Sequence, residues 1–461
     1  LELSPDLVEL ARRAAPPPGT GFARVEWVTG DARSYLERSP DQFDLVTLGP
    51  SGGLGHSAAG VHALSEDFLH TVEAYAGYLD HLDPDGVLAI TSWLTVPPRE
   101  AVRTLLTAAT ALRGRTPTAV ERGLVVARSG GTVTVLVKPS GFRVAEVRAL
   151  RAWARERRLD LDWYPGLGRP TSEFNFLAEP YLFRAARAAV AGPEPAAQFA
   201  ERYPFAVAPV GDERPYPHHF LRPGSLGAFI REARGSWLPF AEWGYVALAA
   251  TLVQSGVLAA LLILTPAAWR ARRPPGLGRL LGFFGALGLG YLAAELAVIQ
   301  TLGLLLGHPV YAVAAALVSF LVCSGIGSIW SDRVQPASGR WVLALVVGLL
   351  VLLAAALLDL AHLAQPVPWP MRAGLALVVC LPPAMLMGMP FPLGLRALVA
   401  GDQSRLAWAW AANGFASVVA APLAALIALE LGSRALLAVA AGAYAVAWLA
   451  YGRQTGNRRP P

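Results

Sequence analysis

The sequence predicts a doubly wound α/β domain followed by an all-α polytopic transmembrane domain. Over residues 1–140, short β-rich runs alternate with amphipathic helical patterns, as in a parallel sheet with crossover helices. From 243 to 451 the chain turns apolar and carries ten Arg and five acidic residues, and 54% of the 461 residues are hydrophobic against 16% charged. That is too long for one ordinary domain and too apolar for a wholly soluble chain. The expected division is therefore an α/β domain over 1–140, a connector or cap over 141–242, and a membrane domain over 243–451.

The elements follow in order. Residues 1–3 read as the end of a strand, and the chain, which opens on Leu1 rather than Met, reads as a fragment of a longer product whose first strand lies upstream. Ser4-Pro5-Asp6 opens a helix through Arg13, with Ser as N-cap and Pro at the first helical position. A strand is expected over 25–28, then Gly30-Asp31-Ala32 and a short helix. Residues 43–48 form a near-continuous apolar run, the pattern of a strand covered on both faces. A glycine-rich loop over 49–60 leads to a helix over 65–82, and Asp83-Pro84-Asp85-Gly86 turns into a strand over 87–91. A helix over 99–113 precedes two strands, 123–127 and 132–137, joined as an antiparallel hairpin at the sheet edge. The connector holds one helix near 145–157, several Pro breaks and the stretch Asp212–Phe220, with an interfacial amphipathic helix expected over 226–237.

Seven runs beyond Trp243 approach the roughly 20 apolar residues needed to cross hydrocarbon: 243–264, 280–305, 311–330, 341–363, 372–393, 406–429 and 435–451. The lipid bilayer is thus the expected partner, in a multi-pass inner (plasma) membrane protein. Nucleic acid is not, because the net charge of +6 is scattered, with no basic face interleaved with aromatics. Cys323 and Cys380 lie inside apolar runs, without disulfide or metal spacing.

Candidate site residues cluster at the carboxyl ends of the expected strands, where ligands of such sheets bind. Glu2 would accept hydrogen bonds from both hydroxyls of a ribose, or is an ordinary exposed Glu before a helix. Gly30, Asp31 and Ala32 place a second carboxylate where an adenine amino group would donate, with Gly permitting close approach; alone, Gly-Asp after a strand is more often a turn.

Taken with Leu1-Glu2-Leu3-Ser4-Pro5-Asp6, Gly30-Asp31-Ala32-Arg33, Phe43-Asp44-Leu45-Val46, Leu64-Ser65-Glu66-Asp67-Phe68 and Pro84-Asp85-Gly86-Val87-Leu88, in that order, the chain resembles the spermidine synthases. More closely it resembles the membrane-fused spermidine-synthase-like proteins of bacteria. Asp212–Pro215, Gly307-His308-Pro309 and Met389-Pro390-Phe391-Pro392-Leu393-Gly394 look similar to that group too. The resemblance covers nearly the whole chain and implies a Rossmann-like fold of the class I methyltransferase and spermidine synthase type. It also implies S-adenosylmethionine or its decarboxylated form as the ligand, with Glu2 on the ribose and Asp31 and Ala32 on the adenine.

One departure is chemical. Where spermidine synthases follow the strand at 43–48 with a pair of acidic residues, this sequence has Gly49 and Gly52, within a substrate loop that includes Ser51. A polyamine is a cation that needs carboxylates, and aminopropyl transfer needs a base, so the expected small-molecule acceptor is not a simple polyamine. Ser51 and His56 read as parts of a lid rather than a nucleophile and its base, since no orienting acid is evident. His62, His70 and His81 lack ligand spacing and read as surface or packing residues, with no metal site expected.

In the membrane half, Glu295 falls near the middle of its span, with Gln300 five residues on; a carboxylate there costs about 3 kcal/mol on insertion scales. It marks a conduction or substrate site, or an interhelical hydrogen bond to Asn413 or Ser324. Alternate loops place Arg270, Arg272, Arg273, Arg279, Arg333, Arg340, Arg396, Arg405, Arg453, Arg458 and Arg459 on one side and Arg372 and Arg434 on the other. The rich side should be cytoplasmic, which with seven spans puts the α/β domain outside, whereas adenosyl chemistry would put it inside. The leading expectation is a membrane-anchored transferase; the alternatives are a transporter or scaffold with an inactive nucleoside-sensing domain, and a methyltransferase acting on membrane-embedded acceptors.

Overall fold

The computed structural model describes residues 5–14, 25–50, 64–116, 118–222 and 243–452. The chain forms two compact units, Ala32–Val246 and a second made of Ala247–Pro461 with Leu1–Asp31.

α1 (Pro5–Ala14) belongs to the second unit; within the first the elements run α2 (Ala32–Leu36), β1 (Phe43–Leu48), α3 (Val72–Asp80), β2 (Leu82–Trp93), α4 (Glu100–Arg115), a short helical turn at Val120–Gly123, β3 (Leu124–Arg128), β4 (Thr132–Val137), α5 (Val144–Glu156), β5 (Asp160–Trp163), α6 (Tyr181–Ala191) and α7 (Pro193–Arg202). The sheet is mixed, in the order β1-β2-β4-β3-β5. β1 and β2 are parallel, and β4 lies antiparallel to both β2 and β3, so the hairpin folds its second strand inward. The core lies where α4 covers β2 and β4: Leu88, Ile90, Val133, Val135, Leu105 and Leu112 are fully buried. Each such side chain contributes about 1.5–3 kcal/mol over its exposed state.

Several expectations are corrected. Residues 25–28 form no strand. Among the described residues β1 is an edge strand, and it is not covered on both faces, since Leu45 is 57% exposed. The helix expected over 65–82 begins only at Val72, because the Thr71 side chain accepts from Ala74 N and caps it there. Asp83–Gly86 is no turn but a bulge inside β2, where the register against β1 shifts. The stretch expected to be a connector from 141 onward holds the one helix expected there, as α5, and adds a fifth strand and the helices α6 and α7, all within the same compact unit.

In the second unit, six helices among the described residues are long and apolar enough to cross a membrane: Gly244–Arg270, Leu277–Leu306, Pro309–Arg333, Pro336–Leu363, Trp369–Val399 and Gln403–Tyr451. The last is 49 residues long, about twice what a bilayer needs. It is broken at Gly432, whose φ of 87° and ψ of 175° suit only glycine. Its two ends meet the same place: Trp408 donates to Arg272 O at one end, and Arg279 donates to Ala450 O and Tyr451 O at the other. The two arms therefore run antiparallel, so that the six helices among the described residues comprise seven apolar segments.

Arginines terminate these helices. Arg279 satisfies the last carbonyls of the Gln403–Tyr451 helix, Arg396 those of Ser331 and Val334, and Arg372 that of Leu305. Cations at helix carboxyl ends complete orphan acceptors and oppose the helix dipole. The helices also close on small residues: a Cβ on Gly327 would stand 1.9 Å from Met385 O, and one on Gly388 2.0 Å from Ser324 O.

Candidate functional site

Two stretches singled out in the sequence, 64–68 and 212–220, meet at the amino end of α3. Asp67 N donates to Pro215 O at 2.8 Å and Val72 N to Val210 O at 2.9 Å, so the second stretch lies along the first with its backbone bonded. Arg103, from α4, fixes it from the other side by donating to Pro217 O at 2.6 Å and Tyr216 O at 3.1 Å. Asp212 is the hub. It takes both terminal nitrogens of Arg33 at 2.8 and 2.6 Å and the Thr71 hydroxyl at 2.7 Å, while its own N–H donates to Glu73. The Asp212 side chain is fully buried and that of Arg33 7% exposed. Burial alone would lower the guanidinium, but the bonds to Asp212 outweigh it and hold Arg33 above its usual value. Glu73 is raised, first by burial and then by the Asp212 charge.

Beside this hub Asp67 stands between two imidazoles, with His70 Nδ1 at 2.7 Å and His218 Nε2 at 3.5 Å. Burial would raise the carboxyl, yet His70 and His218 outweigh that and hold it far below the ordinary range. His70 in turn is raised, burial being outweighed by Asp67. Glu100 is raised by burial despite the nearby histidines. These carboxylates and imidazoles lie close together, but no group of three or more His, Cys, Asp or Glu among the described residues is arranged to bind a metal ion.

The expected site residues are distributed unevenly around this network. Gly30 and Asp31 immediately precede α2, Ala32 is its first residue, and Arg33, next in sequence, is the residue Asp212 holds. Gly49 follows the carboxyl end of β1. Glu2, Ser51, Gly52, His56 and His62 lie outside the described residues. His70, expected as a surface or packing histidine, packs half-buried and bonded to Asp67; the signal for that bond was Asp67-x-x-His70, which puts both side chains on one turn.

In the membrane unit the expected interhelical bond to Glu295 is not made. Asn413 donates to Phe284 O at 3.1 Å and Ser324 pairs with Tyr291 at 3.1 Å, and Glu295 has no hydrogen bond or ion pair among the described residues. Gln300 is buried in the same helix.

Set against known proteins, the chain matches no family model and no curated protein.

Proposed function

We propose that this is a membrane-anchored transferase of the spermidine-synthase-like type, residing in the inner membrane and binding S-adenosylmethionine or its decarboxylated form. Asp31 and Ala32, with Glu2, would hold the nucleoside. The observation that carries this reading is convergence. Three stretches that each resemble that group and lie far apart in sequence, Gly30–Arg33, Leu64–Phe68 and Asp212–Pro215, meet through one residue of each: Asp212 takes the buried Arg33 guanidinium, and Asp67 N donates to Pro215 O. The parallel β1–β2 pair followed by an inward-folded antiparallel hairpin also suits such a domain. Gly49 at the end of β1 offers no carboxylate to a polycation, so the acceptor is one other than a simple polyamine.

Calorimetric titration of the full-length protein with S-adenosylmethionine, its decarboxylated form and methylthioadenosine tests the reading. Saturable binding lost in Glu2→Ala and Asp31→Ala is expected. Absence of binding by folded protein refutes nucleoside recognition, and turnover of putrescine to spermidine refutes the choice of acceptor.

A second reading, a transporter or scaffold whose α/β unit is an inactive sensor, is favoured by one observation: Glu295, near mid-span, lacks both partners that would make it merely structural. Loss of solute flux in Glu295→Gln, with folding and nucleoside binding intact, would support it.

A further inference from the structure

The edge of the sheet opposite β1 carries a cavity that the nucleoside reading does not use. It has a volume of about 260 Å³ and lies between α5 and the chain that follows β5. Leu159, Leu161 and Ala154 form part of its floor, and Arg148, Arg151 and Arg155 bring their side chains to it from successive turns of α5. These cations are unequally compensated. Arg155 pairs with Glu173 at 3.2 Å, whereas Arg151 only lies over the Tyr164 ring, 5.2 Å from its centroid. Arg148 has no hydrogen bond or ion pair among the described residues. Tyr164 and Phe174 add two aromatic rings to the lining.

The far wall is held rigidly, and by a costly device. Asp160, 3% exposed at the start of β5, accepts the backbone N–H groups of Glu173 at 2.6 Å, Phe174 at 3.2 Å and Asn175 at 2.6 Å. Arg128, 1% exposed, binds Asp162 at 2.6 Å and reaches the same wall through Asn175 O. Burying three charges to fix one loop is poor value for stability alone; it does pre-organise the wall that carries Phe174 and Glu173, and a pre-formed wall lowers the ordering cost of binding.

We infer that this cavity binds a small phosphate monoester with a planar or ring-shaped body. The phosphate would sit on Arg148, Arg151 and Arg155, and the ring against Tyr164 and Phe174. Guanidinium forks match phosphate oxygens in pairs, and two of the three here have no carboxylate to displace. A neutral ligand would leave those charges unused, and a bare anion would leave the rings unused.

The test is calorimetry on the full-length detergent-solubilised protein with three probes: phenyl phosphate, inorganic phosphate and phenol. Phenyl phosphate should bind saturably, phosphate more weakly, and phenol not at all. The exposed pair R148A/R151A should weaken phenyl phosphate by about tenfold or more, and Y164L should remove its advantage over inorganic phosphate. No saturable binding of phenyl phosphate, equal binding of phenol, or undiminished affinity in R148A/R151A with an unchanged circular dichroism spectrum would each overturn the inference. S-adenosylmethionine binding is expected to be unaffected by R148A/R151A, which separates this site from the nucleoside site.

Discussion

Truncating Asp212 to Ala should unfold more of the first unit than any surface change, because it strands Arg33. The pair is bidentate and buried on both sides. Removing one partner of such a pair costs about 3–5 kcal/mol, chiefly by leaving an uncompensated charge out of water. The Thr71 hydroxyl loses its acceptor as well, adding roughly 1 kcal/mol. For a unit of this size each kcal/mol is worth roughly 2–4 °C, so D212A, at about 4–6 kcal/mol, should lower the first thermal transition by roughly 8–24 °C. The change is read by circular dichroism during heating of the full-length protein in detergent. It should be accompanied by faster proteolysis in the 203–222 stretch, whose backbone is held to 67–72 through the same place. The double variant R33M/D212L, which removes both charges and keeps apolar bulk, should recover most of the loss. D212A within about 1 kcal/mol of wild type, or a double variant as unstable as the single one, would show that the hub does not hold the segment.

Further predictions concern protons, the helical hairpin and sidedness. Asp67 is depressed, so its contribution is present above about pH 4 and disappears only as pH falls through its folded value. His70 is raised, so its share is present below about pH 6.5 and is lost as pH rises through its folded value. Glu73 and Glu100, both raised by burial, also make stability fall with rising pH. The melting temperature of wild type should accordingly decline above about pH 6.5 more steeply than that of H70Q; parallel curves would sink the assignment. G432A forces a side chain onto a φ of 87° and should cost about 1–3 kcal/mol, seen as earlier thermal unfolding in detergent. An unchanged transition would mean that the two arms do not depend on that turn. Finally, sidedness separates the two readings: the Arg distribution puts the end that unites 272, 279, 405 and 451 in the cytoplasm, which suits the inactive-sensor reading, whereas an adenosyl-using transferase requires that end outside. Reaction of single cysteines in 272–276 with an impermeant maleimide before permeabilisation, and of cysteines in 364–368 only after it, is expected for the transferase; the reverse pattern would count against it. The native Cys323 and Cys380 are both buried and should contribute little background.

What could be read in the sequence is what repeats locally. The apolar runs beyond Trp243 announce membrane helices because each span must satisfy its own backbone, so the signal sits within about 20 consecutive residues. The β3–β4 hairpin was legible for the same reason: Ser129-Gly130-Gly131 and the flanking β-branched residues suffice to form it. Long-range arrangement was not legible. That β4 folds inward beside β2 depends on pairing across 39 to 49 residues of chain. Asp212 looked like one acid in a Pro-rich connector, and only the fold brings it to Arg33, 179 residues away, where desolvation makes the pair matter. Asn413 and Glu295 show the converse. Both are polar residues in apolar spans, so sequence alone invites a bond between them; packing turns Asn413 to a backbone carbonyl instead. Periodicity thus marked the apolar spans and the β3–β4 hairpin, whereas the extent of the sheet and the charge partners were decided by tertiary structure, because the worth of a charge depends on what surrounds it after burial.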